Sequence, residues 1–341
     1  MSLNWMRHFE LQLMGDNGDT LYLSEFKATY TINWFAISSA TRTGVFKIYN
    51  LSPQTVRKIA GREFTKIRLI AGYYGVAPTV DASQVGIPYP VDPASISQSG
   101  GRNYGQLFSG EIRYTLTGKD NPVDAYVLIQ AADSEKAFLE SQSNHTLAAG
   151  WTAQTLFNAL MNDFAHYGVT AGRTPPFPAT AHSRGRVIHG MTRDIMDDVA
   201  RMCDATWMLV DNQVQMIRKD DYVHEPIELN SKTGLVGMPQ QTIDKGVNVR
   251  CLINPNIRVN GLIHLDERSI YQNDLASQSQ KSAGAQNSNP GGKSQSSPPV
   301  IPGVLATDGI YKVTGIVYTG DTRGQAWYMD MVCMPRGASN Q

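Results

Sequence analysis

Residues 26 to 34 alternate without a fault: Phe26, Ala28, Tyr30, Ile32 and Trp34 are apolar, and Lys27, Thr29, Thr31 and Asn33 separate them. A period of two marks a strand with one buried face and one open face. The pattern recurs along the chain, so sheet has to dominate the fold. Ahead of it, Trp5, Phe9, Leu11 and Leu13 share a face, and Asp16-Asn17-Gly18-Asp19 has the residues of a hairpin turn. That tetrapeptide lacks the longer ligand spacing and terminal bidentate glutamate of a calcium loop.

Further strands are expected over 45–50, 66–73, 106–117 and 123–132. Between the first two, Ser52 reads as an N-cap, Pro53 as the first helical residue and Gly61 as the stop. A single helix over 53–60 should therefore lie across the sheet through Val56, Ile59 and Ala60. Residues 76–105 carry Pro78, Pro88, Pro90 and Pro93 among Ser and Gly, a stretch that cannot continue a ladder.

After His145 the period changes. Thr152 caps a helix in which Leu156, Leu160 and Phe164 recur every fourth residue, and Gly168 ends it. A second helix begins at Thr192 and puts Ile195, Val199, Met202 and Cys203 on one face, with Asp194 near its positive end. A hairpin follows: 206–210, the turn Asp211-Asn212, and 213–217. Residues 146–228 thus form a small α+β insert, and from Leu229 the chain is β again, through 247–252 and 261–265. Residues 273–306 are polar, low in complexity and free of aromatics, as expected of a mobile loop or a partner-ordered segment. A last hairpin runs over 310–318 and 325–334 about Gly320-Asp321-Thr322-Arg323-Gly324. Its second strand is apolar on both faces, with Trp327, Met329, Met331 and Cys333 on one and Ala326, Tyr328 and Val332 on the other, broken only by Asp330. Burial on both sides is the expectation, within a sandwich or against a neighbouring subunit.

The 30 Lys and Arg balance the 30 Asp and Glu, and they do so segment by segment: 13 against 13 in residues 1–145, 10 against 11 in 146–250, and 7 against 6 in 251–341. No basic patch for duplex nucleic acid or an anionic membrane emerges. Charged residues are only 18% of the chain, so much of the surface is neutral, as suits a protein that hides its exterior in an assembly. No run approaches a membrane span of about 20 residues. Nor does the N-terminus have a signal-peptide core, and a cytoplasmic origin is expected.

Motifs of chemistry are missing. Cys203, Cys251 and Cys333 are too far apart for a metal knuckle. Gly234-Leu235-Val236-Gly237 lacks the lysine of a phosphate loop and reads as a strand connection. His182, Arg184, Arg186 and His189 form a loop with at most a local anion contact. Asp194, Asp197 and Asp198 are explained by the dipole of the helix they open. No catalytic residue, cofactor or metal ligand is assigned, and the chain reads as no enzyme.

The series Val45-Phe46-Lys47-Ile48-Tyr49-Asn50-Leu51-Ser52-Pro53, Ile67 to Tyr73, Thr233 to Pro239, Gly246 to Pro255, Val259-Asn260-Gly261, Gly309 to Thr314 and Gly320 to Trp327 resembles the baseplate hub proteins of tailed bacteriophages. The resemblance implies a mainly β fold with two tail-tube-like β-barrel or sandwich domains, at 1–145 and 229–341, around the α+β insert. It further implies a homotrimeric ring in the virion tail baseplate. Such a ring would adapt the sixfold tail tube protein to the threefold central spike protein and touch other baseplate proteins. Tape measure protein and DNA would pass through its channel, whose wall should be neutral or acidic so that phosphates are not retained. Strand faces nominate Trp327, Tyr328, Met329, Met331 and Tyr311 as interface residues. A different class of function, a glycan-binding β module, would instead display Trp and Tyr at loop tips around a shallow aromatic groove.

Overall fold

The computed structural model describes residues 6–38, 40–74, 103–241, 246–265, 306 and 308–336. The first β region contains β1 (Arg7–Met14), β2 (Thr20–Leu23), β3 (Ala28–Phe35), β4 (Thr43–Tyr49), the helix α1 (Pro53–Ala60), β5 (Lys66–Tyr73), β6 (Asn103–Lys119) and β7 (Ala125–Ala132). The central unit follows with α2 (Glu135–Glu140), β8 (Gln142–Leu147), α3 (Ala153–Ala165), β9 (Thr170–Ala171), β10 (Arg186–Met191), α4 (Thr192–Met202), β11 (Ala205–Val210) and β12 (Gln213–Arg218). The last β region has β13 (Ile227–Leu229), β14 (Gln240–Gln241), β15 (Val247–Leu252), β16 (Leu262–Leu265), β17 (Ile310–Asp321) and β18 (Trp327–Pro335). The fold is mainly β with a small helical insert, as the alternating patterns require.

Both β regions belong to one sheet of 13 strands, whose main path runs β14-β15-β18-β17-β3-β4-β7-β6-β5-β1-β2. The join is β3 against β17, antiparallel, from Gly315 opposite Phe35 to Asp321 opposite Thr29. Of the barrel or sandwich forms expected for the β regions, a closed barrel is not the one that forms. β3 has β4 on one edge and β17 on the other, so it has no edge left with which to close the first region on itself. A single cluster of buried side chains correspondingly runs through both regions, from Leu11, Ile32 and Phe46 to Val249, Tyr318 and Met331.

The central unit has its own core of Leu156, Phe157, Leu160, Phe164, Met196, Val199 and Trp207. Its helix α3 starts in a reciprocal capping box between Thr152 and Thr155. In α4 Thr192 does not cap; its hydroxyl turns inward to Ser141 (2.7 Å) and Ser143 (2.9 Å). The boundary expected at residue 145 falls inside β8, whose ladder partner is β10 of this unit. Of the expected loops, 76–105 and 273–306 lie outside the described residues except for Asn103 to Gly105, which already belong to β6, and Ala306, which is buried. Trp5 also lies outside them.

Helix α1 forms where its capping residues put it: the Ser52 hydroxyl accepts from the Thr55 amide at 3.2 Å and Pro53 opens the first turn. Ile59 is buried and Val56 half-buried, but Ala60 is exposed, because the helix leans on the sheet along a narrow stripe. The helix stops at Gly61 as expected, with Gly61 as the C-cap at φ −72° and the left-handed turn taken one residue later by Arg62 at φ 59°. Ser52→Ala is expected to cost about 1 kcal/mol, read as a lower urea midpoint with an unchanged slope.

Candidate functional site

Two junctions hold the β regions and the central unit together, and a third feature, the terminal hairpin, leaves one face open. At the seam, the turn between β17 and β18 is tied to the start of the chain. Arg7 donates to the carbonyl oxygens of Asp321 (3.1 Å), Gly324 (2.6 Å) and Gln325 (3.1 Å), and its guanidinium lies 5.4 Å from the Trp327 ring centre. Thr322 accepts from the Ala28 amide and donates to the Phe26 carbonyl, while Arg323 donates to the Glu25 carbonyl. The Trp327 indole N–H reaches the Gly72 carbonyl at 3.2 Å, and the Tyr73 hydroxyl donates to the Trp327 carbonyl at 3.2 Å. β5 and β18 are far apart along the sheet, so these bonds show the sheet curling until distant strands meet through side chains. Burial pushes the Tyr73 phenol up to about 12 against the opposing pull of Arg7, which keeps it a donor. Gly72 takes φ +147°, and a Cβ there would stand 2.3 Å from the Asn103 carbonyl oxygen, so β5 and β6 can approach this closely only with glycine.

A second junction fastens the central unit to the first β region. Arg42, 4% exposed, donates to the Leu107 carbonyl (3.0 Å), to Asp133 (2.8 Å) and to Asp211 (2.5 Å). The aromatic rings of Trp34 and Phe108 flank its guanidinium, at 5.1 and 5.3 Å. Asp133 also accepts from the amides of Asp211 and Asn212 and from the Ser134 hydroxyl. The residues so gripped, Asp211 and Asn212, form the β11–β12 turn with φ values of 54° and 58°, the two left-handed positions of a type I′ hairpin. Burial opposes the Arg42 charge, but Asp211 and Asp133 outweigh it and raise its pKa. For Asp211 burial is likewise overcome, by Arg42, and the pKa is lowered; for fully enclosed Asp133 burial prevails and the pKa is raised. Sequence reasoning missed this node, for a lone Arg42 between threonines carries no local signal.

The third feature is the terminal hairpin. Trp327, Met329, Met331 and Tyr311, nominated as interface residues, are 0–1% exposed because they point into the chain's own core. Tyr328, the fifth, is half-buried on the opposite face. There the Arg250 guanidinium covers its ring at 4.2 Å and holds Asp330 through two bonds of 2.6 and 3.0 Å, and Val332 is 39% exposed. This face, with β15 beside it, is the open side of the hairpin. All four described tryptophans, Trp34, Trp151, Trp207 and Trp327, are at most 7% exposed, so they do not form the loop-tip platform of the glycan reading.

Polar clusters elsewhere resolve into structural ties. Asp197 accepts from the Trp207 indole, and Asp198 binds Arg186 and Arg201. His182 stacks on Trp151 at 3.9 Å. Ser143, His145 and Asp163 do meet, but Asp163 Oδ2 accepts from both the serine (2.6 Å) and the histidine (2.7 Å). The carboxylate is therefore central and no histidine activates the serine, unlike a hydrolytic triad. Among the described residues no group of three His, Cys, Asp or Glu side chains is placed to hold a metal, and all three cysteines are buried and free. No described helix is long and apolar enough to cross a membrane.

No family model and no curated protein sequence matches the chain. Solved structures do. The tail protein from Neisseria meningitidis MC58 aligns over 98% of both chains with a TM-score of 0.54 at 8% identity. The 43 kDa tail protein of prophage MuSo2 from Shewanella oneidensis aligns over 97% of this chain and 98% of that one, at 0.53 and 7%. The chain has a tail-protein fold. A chain of the half-lidded Francisella PdpA–VgrG complex also matches, at 0.53 and 5% identity, and this protein covers 98% of its own length but 59% of that longer chain. With both tail proteins the alignment takes in the β regions and the α+β unit alike, so the likeness is to the whole fold and not to one part of it.

Proposed function

We propose that the chain is a structural, non-enzymatic protein of a phage-type tail and that it serves as the baseplate hub. Three copies form a ring between the sixfold tail tube and the threefold central spike, in contact with other baseplate proteins, and the tape measure protein and DNA pass through its neutral or acidic bore. The observation that carries this reading is the end-to-end fold likeness to two tail proteins. The fused sheet supports it: β3 and β17 lock the two β regions of one chain in register, and two linked β regions per subunit are what a threefold-to-sixfold adaptor needs. The open face at Tyr328, Asp330 and Val332 is the proposed subunit or partner contact.

Imaging of intact particles with this chain labelled is the deciding experiment. A ring of three copies coaxial with the tail is the expected result, and a peripheral position sinks the reading. Sedimentation of the purified full chain supplies the second measurement, with three-chain species expected when tube or spike protein is added.

A further inference from the structure

Between β12 and β13 the chain leaves the central unit and enters the last β region through a strap, residues 219–226. No strand among the described residues pairs with it, so separate bonds from both units hold it. From the central unit, Arg173 donates to the Val223 carbonyl at 3.2 Å. From the last β region, Lys312 donates to the carbonyls of Lys219 and Asp221, both at 3.0 Å. The Val223 amide in turn donates to the Asn260 carbonyl at 2.8 Å.

The His224 ring completes the attachment. Its Nε2 lies 3.2 Å from the Arg258 amide and its Nδ1 lies 2.8 Å from the Glu225 carbonyl oxygen. An amide N–H can only donate and a carbonyl can only accept, so both contacts are hydrogen bonds only for a neutral imidazole with its proton on Nδ1. The ring also occupies the space of a side chain at Gly261, where a Cβ would overlap Nε2, so it sits tight against the backbone of the 258–262 turn. A proton on Nε2 would set one donor against another and leave the Arg258 amide without its acceptor. Burial above all, and the Arg258 guanidinium, oppose that proton; the Glu225 carbonyl and carboxylate favour it, and the net effect is a lowered pKa. Asp220 and Asp221 act instead on the Lys312 ammonium.

We propose that His224 is a pH-sensitive latch: as the neutral imidazole it pins the strap to the 258–262 turn, and on protonation it releases the strap while both units stay folded, loosening the tether between them. A histidine whose folded pKa lies below the ordinary value of about 6.5 holds the latch fully closed above that value, and the latch weakens as pH falls from there towards the folded one. The latch does not depend on the hub reading, since it involves neither subunit contacts nor the channel.

The test is amide hydrogen exchange of the full chain at pH 7.5 and 5.5, each rate referred to that of an unstructured peptide at the same pH, which reads local opening. At one unit below the ordinary imidazole value, linkage allows the open population to grow by up to about 10-fold. A gain of about 3- to 10-fold is expected at Val223, Arg258 and Leu262, with β3 and β17 unchanged. His224→Gln keeps a side-chain acceptor but does not titrate, and it isolates this ring from the other six histidines; the acid response should vanish in it. Faster exchange in β3 and β17 as well would be general acid unfolding and overturns the proposal, as does a strap that ignores pH or an acid response that persists in His224→Gln. Imidazole nitrogen NMR of the wild type decides the case in which glutamine leaves the strap open at both pH values. An unprotonated Nε2 at pH 7.5, and a His224 titration with the same midpoint as strap opening, are expected; a proton on Nε2 or a different midpoint overturns the latch.

Discussion

Arg42→Ala is expected to lower the unfolding free energy by about 3–5 kcal/mol, the cost of leaving a buried charge without its partner. The loss is this large because Arg42 is shared: its removal strands Asp133, which has no exposure, and loosens Asp211 at the tip of the β11–β12 turn. Arg42→Lys keeps the charge but gives up the planar fork that spans two carboxylates and the Leu107 carbonyl, and it should recover only part of the loss. Urea unfolding followed by circular dichroism measures both variants.

The pH dependence supplies an independent check on the same node. Asp211 has a lowered folded pKa in the wild type, so its stabilisation is complete above the unfolded value of about 4 and fades as pH falls through the folded one. In Arg42→Ala that contribution is gone. Asp133, already raised by burial, has then lost its cation, rises further, and gains stability for the fold on protonation. The gap between wild type and variant should therefore narrow steadily from pH 7 towards about 4. A gap that stays constant or widens on acidification would mean that the node is held by packing rather than by charge.

What was legible in the sequence divides along a physical line. The hairpins, α1 with its Ser52 and Pro53 cap, the Leu156-Leu160-Phe164 face and the Asp211-Asn212 turn all rest on neighbours within a few residues, and periodicity or turn chemistry reports them directly. The alternation at Phe26 to Trp34 announced a strand with one buried face, but a strand's edges leave no mark on its side chains, so nothing in that segment told that β17, some 290 residues on, would occupy one edge. The two-faced apolar pattern of the last strand was ambiguous for a related reason. Tyr328 and Val332 look apolar in a sequence, yet in the fold the aliphatic and aromatic surface on that side is shared with the Arg250–Asp330 pair and stays half open. Arg42 was invisible because its two carboxylates come from separate segments, and Arg7 because it binds carbonyls, which every residue carries.

Trp327→Ala is expected to destabilise the chain by about 3–5 kcal/mol, the range for deleting a fully enclosed aromatic side chain. The indole is 1% exposed and stands edge-on to Tyr30 at 5.5 Å and to Phe9 at 6.5 Å, so truncation opens a void between strands of both β regions. It also leaves the Gly72 carbonyl without its donor. Trp327→Phe refills most of that void but restores no donor, and the loss of the bond alone should cost about 0.5–1.5 kcal/mol. The ratio of the two effects distinguishes what holds the seam. If packing dominates, as burial implies, the phenylalanine variant keeps most of the stability, and amide exchange in β3 and β17 stays slow in it while quickening in the alanine variant. Equal losses in both variants would instead mean that, of what Trp327 adds to the ladder of β3 and β17, the bond to Gly72 outweighs the packing.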